Sequence, residues 1–62
     1  MAKRLAELYR PGDKVEIFLT EVGWMAGIVT AYDPPGIWVQ TSDGRRWFVT
    51  NRQRIRMRKP NA

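Results

Sequence analysis

Apolar and polar residues alternate, fully or in part, in five segments of this chain, and alternation with a period of two indicates half-buried β-strands. We predict one strand for each segment: KVEIFLT, WMAGIVTAY, IWVQT, RRWFVT and RIRMRK. Before them, Leu5, Leu8 and Tyr9 have helical spacing, which predicts a short helix over residues 1–10. The pattern therefore predicts a mainly β domain over residues 11–59, preceded by that helix and followed by a tail of residues 60–62.

The inward faces of the first two predicted strands are not equally clear. In the first, Val15, Ile17 and Leu19 share one face. In the second, two sets compete for the core: Met25, Gly27, Val29 and Ala31, or Trp24, Ala26, Ile28 and Tyr32. An interior glycine such as Gly27 marks a bend, a bulge or a close backbone approach. A strand that bends between two half-sheets can use both sets.

Two turn signals define the hairpins. In DPPG, Pro35 and Gly36 suit the central positions of a type II turn. TSDG matches a type I turn with Gly44 in the fourth position, which gives a three-residue hairpin connection with a bulge. Asp-Gly also supports a two-residue turn, which would oppose Val39 to Phe48 and leave Trp38, Trp47 and Val49 on the other face.

The three-residue connection decides which aromatic side chains face solvent. It places four residues together on the core face: Ile37, Val39, Trp47 and Val49. On the opposite face it pairs Trp38 with Phe48 and Gln40 with Arg46. We therefore predict an exposed aromatic pair beside polar and basic side chains.

Charge is distributed unevenly along the chain. Residues 1–44 contain four basic and six acidic side chains, whereas residues 45–62 contain seven basic and no acidic ones. A clustered basic segment indicates binding to a polyanion. Six of the seven basic residues are arginine, whose planar fork suits phosphate and stacks on aromatic rings.

Composition excludes several classes of site. The 62 residues include no cysteine and no histidine, so disulfides are excluded and a zinc site is not expected. No apolar run approaches the ~18 residues of a membrane span, and we expect a cytoplasmic protein with no cofactor. No nucleophile–base pair or metal constellation can be assembled, so we do not expect an enzyme. A domain this small is marginally stable, which leaves room for stabilisation by a partner or by self-association.

Exposed aromatic rings interleaved with arginine suit the stacking of bases together with phosphate contacts. The sequence thus predicts a nucleic-acid interface, for DNA or RNA, formed by Trp38, Gln40, Arg46, Phe48, Arg54, Arg56 and Arg58. One alternative is that Trp38 and Phe48 are covered by the N-terminal helix or by a second copy of the chain. The alternative function is a protein-interaction module that binds an acidic partner or self-associates.

The predicted strands and turns resemble an SH3-like small β-barrel, most closely its Tudor and KOW branches. The matching motifs are GDKV, the Trp24, Gly27, Val29 spacing of GWMAGIV, the SDG turn, and the apolar Val39, Val49 and Ile55. The resemblance implies a five-stranded barrel that binds methylated side chains, or RNA and protein partners. Met25 stands where a second cage aromatic is common, and methylated side chains need several aromatic walls, so we expect no such cage.

Overall fold

The computed structural model of the chain describes residues 8–58. It contains five strands, β1 (Lys14–Leu19), β2 (Gly23–Asp33), β3 (Gly36–Thr41), β4 (Arg46–Val49) and β5 (Ile55–Met57). Among residues 8–58, Leu8 is helical, and a 3-10 turn, Arg52–Arg54, precedes β5. The five predicted strands are confirmed. Most of the predicted N-terminal helix and the tail lie outside the described residues.

The strands form one antiparallel sheet in the order β4-β3-β2-β1-β5, and this sheet is not closed into a barrel. Closure would require the two edge strands, β4 and β5, to pair, and no pairing joins them within residues 8–58. The expectation of a closed barrel is therefore corrected to an open sheet. Both edge strands are short, at four and three residues, and offer few backbone groups for closure.

One face of the sheet carries the core, which also receives Tyr9. Its buried apolar residues are Tyr9, Val15, Ile17, Val29, Ile37, Val39, Val49 and Ile55. Leu19 and Trp47 are partly buried and pack against this cluster. Alternation therefore identified the inward face of β1 and of the β3–β4 hairpin correctly.

A bulge in β2 explains why its pattern was ambiguous. Val29 pairs with Val39, but the next pair joins Ala31 to Trp38, so Thr30 is an extra residue and the faces exchange there. Before the bulge, Gly27 and Val29 face inward; after it, Ala31 lies on the outer face with Trp38. The bulge is not at Gly27 itself.

The turn between β2 and β3 differs from the predicted type II turn. Asp33 pairs with Gly36, so the connection consists of Pro34 and Pro35, and the peptide bond between them is cis. Gly36 begins β3 and is not among the glycines with positive φ. A Cβ atom at this position would overlap the carbonyl oxygen of Val49. Glycine is required at this position because the backbone of Val49 packs closely against it, and not because the turn needs a left-handed residue.

Candidate nucleic-acid interface

The β3–β4 hairpin has the register that a three-residue connection predicts. Ile37 pairs with Val49, and Val39 pairs with Trp47. The amide of Gly44 donates to the carbonyl of Thr41 over 2.9 Å, and Gly44 has a φ of 87°. The left-handed residue that this bulged turn requires is thus a glycine, which adopts positive φ without steric cost.

Side chains at the turn hold Trp47 against the core. The hydroxyl of the buried Thr41 accepts a hydrogen bond from Trp47 Nε1 over 3.2 Å and donates to the carboxylate of Asp43. The amide of Arg45 also donates to Asp43, over 3.3 Å. Both hydrogen bonds lower the pKa of Asp43 below its ordinary value, and the bond from Thr41 has the larger effect. With Trp47 turned inward, both of its ring-bearing neighbours lie on the outer face.

The outer face of this hairpin carries what we call the β3–β4 cluster: Trp38, Gln40, Arg46 and Phe48. The rings of Trp38 and Phe48 lie 5.0 Å apart at 45°, and Phe48 is 41% exposed. A backbone hydrogen bond of 2.8 Å joins Thr41 to Arg45. Bonded and non-bonded pairs alternate along an antiparallel ladder, so Trp38 and Phe48 form a non-hydrogen-bonded pair, where side chains approach most closely. The predicted aromatic pair is present on the solvent side.

Arg46 lies opposite Gln40 beside this pair. Among residues 8–58 the ion pairs join Asp43 to Arg45 and Glu16 to Arg56. Within the described part of the chain, the guanidinium of Arg46 therefore has no acidic partner, and its charge is not neutralised by a neighbouring carboxylate.

A second aromatic cluster lies on the outer face of β1 and β2, and the sequence did not reveal it. We call it the Phe18–Trp24 cluster. Phe18 and Trp24 are cross-strand partners with ring centroids 5.5 Å apart at 68°. Cζ of Arg56 lies 3.9 Å from the Trp24 ring centroid, and Cζ of Arg54 lies 5.7 Å from that of Phe18. The sequence does place Phe18 on the outward face of β1. It does not identify Trp24 as the partner of Phe18, because that pairing depends on the length of the β1–β2 turn.

Polar contacts complete the Phe18–Trp24 cluster. Nε of Arg56 donates to the carboxylate of Glu16 over 2.8 Å. Nη1 of Arg54 donates to the hydroxyl of Thr20 over 3.4 Å. Both arginines are thus held by one ring and one oxygen atom within the protein.

The predicted site residues are divided between these two places. Trp38, Gln40, Arg46 and Phe48 are brought together as expected. Arg56 lies instead at the opposite edge of the sheet, because β5 pairs with β1 and three strands separate it from β4. Arg54, in the 3-10 turn before β5, lies over the Phe18 ring. Arg58 follows β5 with an exposed side chain, and its amide donates to the carbonyl of Lys14. The expected single surface is two surfaces.

A groove of about 600 Å³ runs between β4 and the end of β1. Phe48 from the β3–β4 cluster lines it, and so do Phe18 and Arg54 from the Phe18–Trp24 cluster. Leu19 and Trp47 contribute apolar surface to the same groove. Part of each cluster therefore lines this groove, whereas Trp38, Arg46, Trp24 and Arg56 do not.

Residues 8–58 also contain neither a membrane-spanning helix nor a metal-binding cluster of acidic, cysteine or histidine side chains. No helix in this part is long and apolar enough to cross a membrane. No group of three or more acidic, cysteine or histidine side chains in the same residues could hold a metal ion. Comparison of the chain with protein-family models, curated proteins and solved structures finds no significant match.

Proposed function

We propose that the protein is a small nucleic-acid-binding module. The observation that carries this proposal is the outward-facing pair of a half-buried Trp38 and an exposed Phe48 beside Arg46, a cation with no acidic partner among the described residues. Rings on a solvent-facing sheet stack on unpaired bases, and an adjacent guanidinium contacts phosphate. The excess of basic residues in the last third of the chain supports the same conclusion.

Binding is mainly electrostatic and depends little on sequence. Arg46 meets phosphate, Trp38 and Phe48 stack on bases, and Gln40 adds a hydrogen-bonding group at the side of the pair. DNA and RNA are both suitable, because every base offers a face for stacking. The module has no catalytic role in this proposal.

At the level of fold, we propose that the chain is a distant, open form of the SH3-like architecture. The five-stranded antiparallel order and the GDKV, GWMAGIV and SDG motifs support this proposal. The open sheet is the feature that departs from it.

A second candidate function is the binding of an acidic protein segment. The edge of β4 favours it, because the antiparallel pattern directs the backbone groups of Arg46 and Phe48 away from β3, and Phe48 lines the groove. An extended peptide can add to such an edge as a further strand. Arg54 at the groove would then attract acidic side chains of that peptide, against the repulsion from Glu21 and Asp43 in the same lining.

A salt titration with short DNA and RNA, both single-stranded and double-stranded, tests the proposed function. The logarithm of the binding constant should fall linearly with that of salt concentration, with a slope of about −0.7 per contacted phosphate for a single strand. No binding at low salt, or a flat dependence, would reject nucleic-acid binding. Saturable binding of an acidic peptide alone would favour the second candidate.

Replacing Trp38 by Ala tests the stacking surface itself. Loss of one stacked base should weaken binding by about 1–3 kcal/mol while the protein stays folded. Tyr32→Ala is the matched control, because Tyr32 is an exposed aromatic residue outside both clusters. Equal effects of the two changes would contradict a specific role for the β3–β4 cluster.

A further inference from the structure

The guanidinium of Arg56 is held in a defined orientation by two contacts of different kinds. Its Nε atom lies 2.8 Å from Oε1 of Glu16, and its Cζ atom lies 3.9 Å from the centroid of the Trp24 ring. The ring is itself packed edge-on against Phe18. The ion pair fixes one edge of the guanidinium and the ring covers one face, so little freedom remains to be lost when a ligand binds.

The opposite edge of the same guanidinium is available. The contact with Glu16 uses Nε, and within residues 8–58 no hydrogen bond uses the two terminal nitrogens. The side chain of Arg56 is 53% exposed. Two terminal nitrogens with parallel N–H bonds form the fork that recognises a pair of acceptor atoms simultaneously.

We propose that Arg56 is a preoriented bidentate donor to the nucleic acid that the module binds. The ligand is a pair of acceptors in one plane, which either two phosphate oxygens or O6 and N7 of guanine provide. This inference rests on the proposed function and assigns it a second contact point, with Glu16 and Trp24 as positioning residues.

The groove supports a ligand that uses both clusters. Phe48 belongs to the cluster that stacks bases, and Phe18 and Arg54 belong to the cluster that orients Arg56; all three line the groove. A strand bound in the groove therefore contacts Phe48, Phe18 and Arg54 directly, and it reaches Trp38 and Arg56 only beyond the groove, because neither lines it.

The test compares Arg56→Lys with wild type by fluorescence anisotropy at fixed salt. Lysine keeps the positive charge but has no fork, so a merely electrostatic role would leave affinity unchanged. The probes are an oligothymidine and an oligonucleotide of equal length that contains guanines. Arg52→Lys is the matched control, because Arg52 is exposed in the neighbouring 3-10 turn and makes no ion pair among the described residues.

We expect Arg56→Lys to weaken binding by about fivefold or more, and Arg52→Lys to leave it within about twofold. A loss confined to the guanine-containing probe identifies guanine as the acceptor, and an equal loss on both probes identifies phosphate. Wild-type affinity of Arg56→Lys for both probes would overturn the inference.

A second variant distinguishes a loss of folding from a loss of binding. If Arg56→Lys does not fold, Trp24→Leu replaces it, since this change removes the ring that orients the guanidinium; unchanged affinity for both probes would then reject the inference. If wild type binds neither probe at low salt, the proposed function itself fails. If Trp38→Ala weakens binding and the Arg56 and Trp24 variants do not, only the present inference fails.

Discussion

The two aromatic clusters contain the same types of residue, an aromatic pair with arginines, but use their arginines differently. In the β3–β4 cluster the rings pack on each other, and Arg46 lies opposite the neutral Gln40. In the Phe18–Trp24 cluster, Arg56 lies opposite Glu16 and over a ring. The difference comes from cross-strand neighbours, which decide whether a cation is paired within the protein.

This difference separates two ways in which an arginine can serve a binding surface. In the proposed function, Arg46 supplies a positive charge that no ion pair among the described residues orients. Arg56 contributes a fixed fork whose long-range charge is partly offset by Glu16. An arginine count along the sequence treats the two as equivalent, whereas the structure does not.

The largest effect is expected from a change in the apolar core, which supports both clusters. Ile17 is 1% exposed in the core, and Ile17→Ala should cost about 2–5 kcal/mol of the free energy of unfolding, through lost burial and a residual cavity. Denaturant unfolding measures this, with hydrogen exchange followed at amides of both β1 and β4. We expect the amides of β1 and β4 to lose protection from hydrogen exchange equally. Selective loss in β1 would show that the clusters are supported independently.

Met57→Ala is the control for this prediction. Met57 is apolar, lies on β5 and is 52% exposed, so its removal should change the free energy of unfolding by less than about 0.5 kcal/mol. A loss comparable to that of Ile17→Ala would mean that the β5 edge is also buried in solution.

A smaller effect separates the two arginines directly. Arg56→Gln should lower the free energy of unfolding by about 1 kcal/mol, because it removes an exposed ion pair and a cation–π contact. Arg46→Gln removes the same charge with neither contact, so its effect should stay within about 0.5 kcal/mol. Thermal or denaturant unfolding of both variants checks this. Equal losses would remove the distinction between the clusters.

The smallest effect concerns pH and only the β3–β4 hairpin. The hydrogen bond from Thr41, followed by that from the Arg45 amide, lowers the pKa of Asp43 in the folded protein below 3.8. The ionised carboxylate therefore contributes stability that is present above the unfolded-state pKa and is lost as pH falls through the folded-state pKa. In an NMR titration, the chemical shifts of the Trp47 indole and the Phe48 amide should change below about pH 4, as Asp43 becomes protonated. Asp43→Asn should abolish it, whereas persistence in that variant would assign the change to another group.

Local patterns predicted most of the fold because alternation and turn chemistry act over a few residues. The register of the β3–β4 hairpin followed from Gly44, and the inward face of β1 followed from Val15 and Ile17. The bulge at Thr30 has no distinct local signal, since threonine is an ordinary strand residue. The turn after Asp33 was mispredicted because Pro35-Gly36 fits one turn type while Pro34-Pro35 forms another.

The candidate site was predictable only where its members are close in sequence. Trp38, Gln40, Arg46 and Phe48 lie on two strands joined by one short turn, so the loop length determines their contacts. The Phe18–Trp24 cluster also requires β5. Its hydrogen bond from Arg56 to Glu16 joins residues that are 40 positions apart in the sequence. Pairing at that separation is decided by which sheet edge remains open.

The amino-acid sequence by itself determined the five strands, the inward Trp47 and the outward pair beside it, because a period of two and a glycine turn constrain neighbouring residues directly. Only the tertiary structure decided that β5 joins β1, that the sheet stays open, and that Arg54 and Arg56 lie over Phe18 and Trp24. The physical reason is that pairing between distant segments depends on how the whole sheet buries its apolar face. No single segment contains the information that decides this.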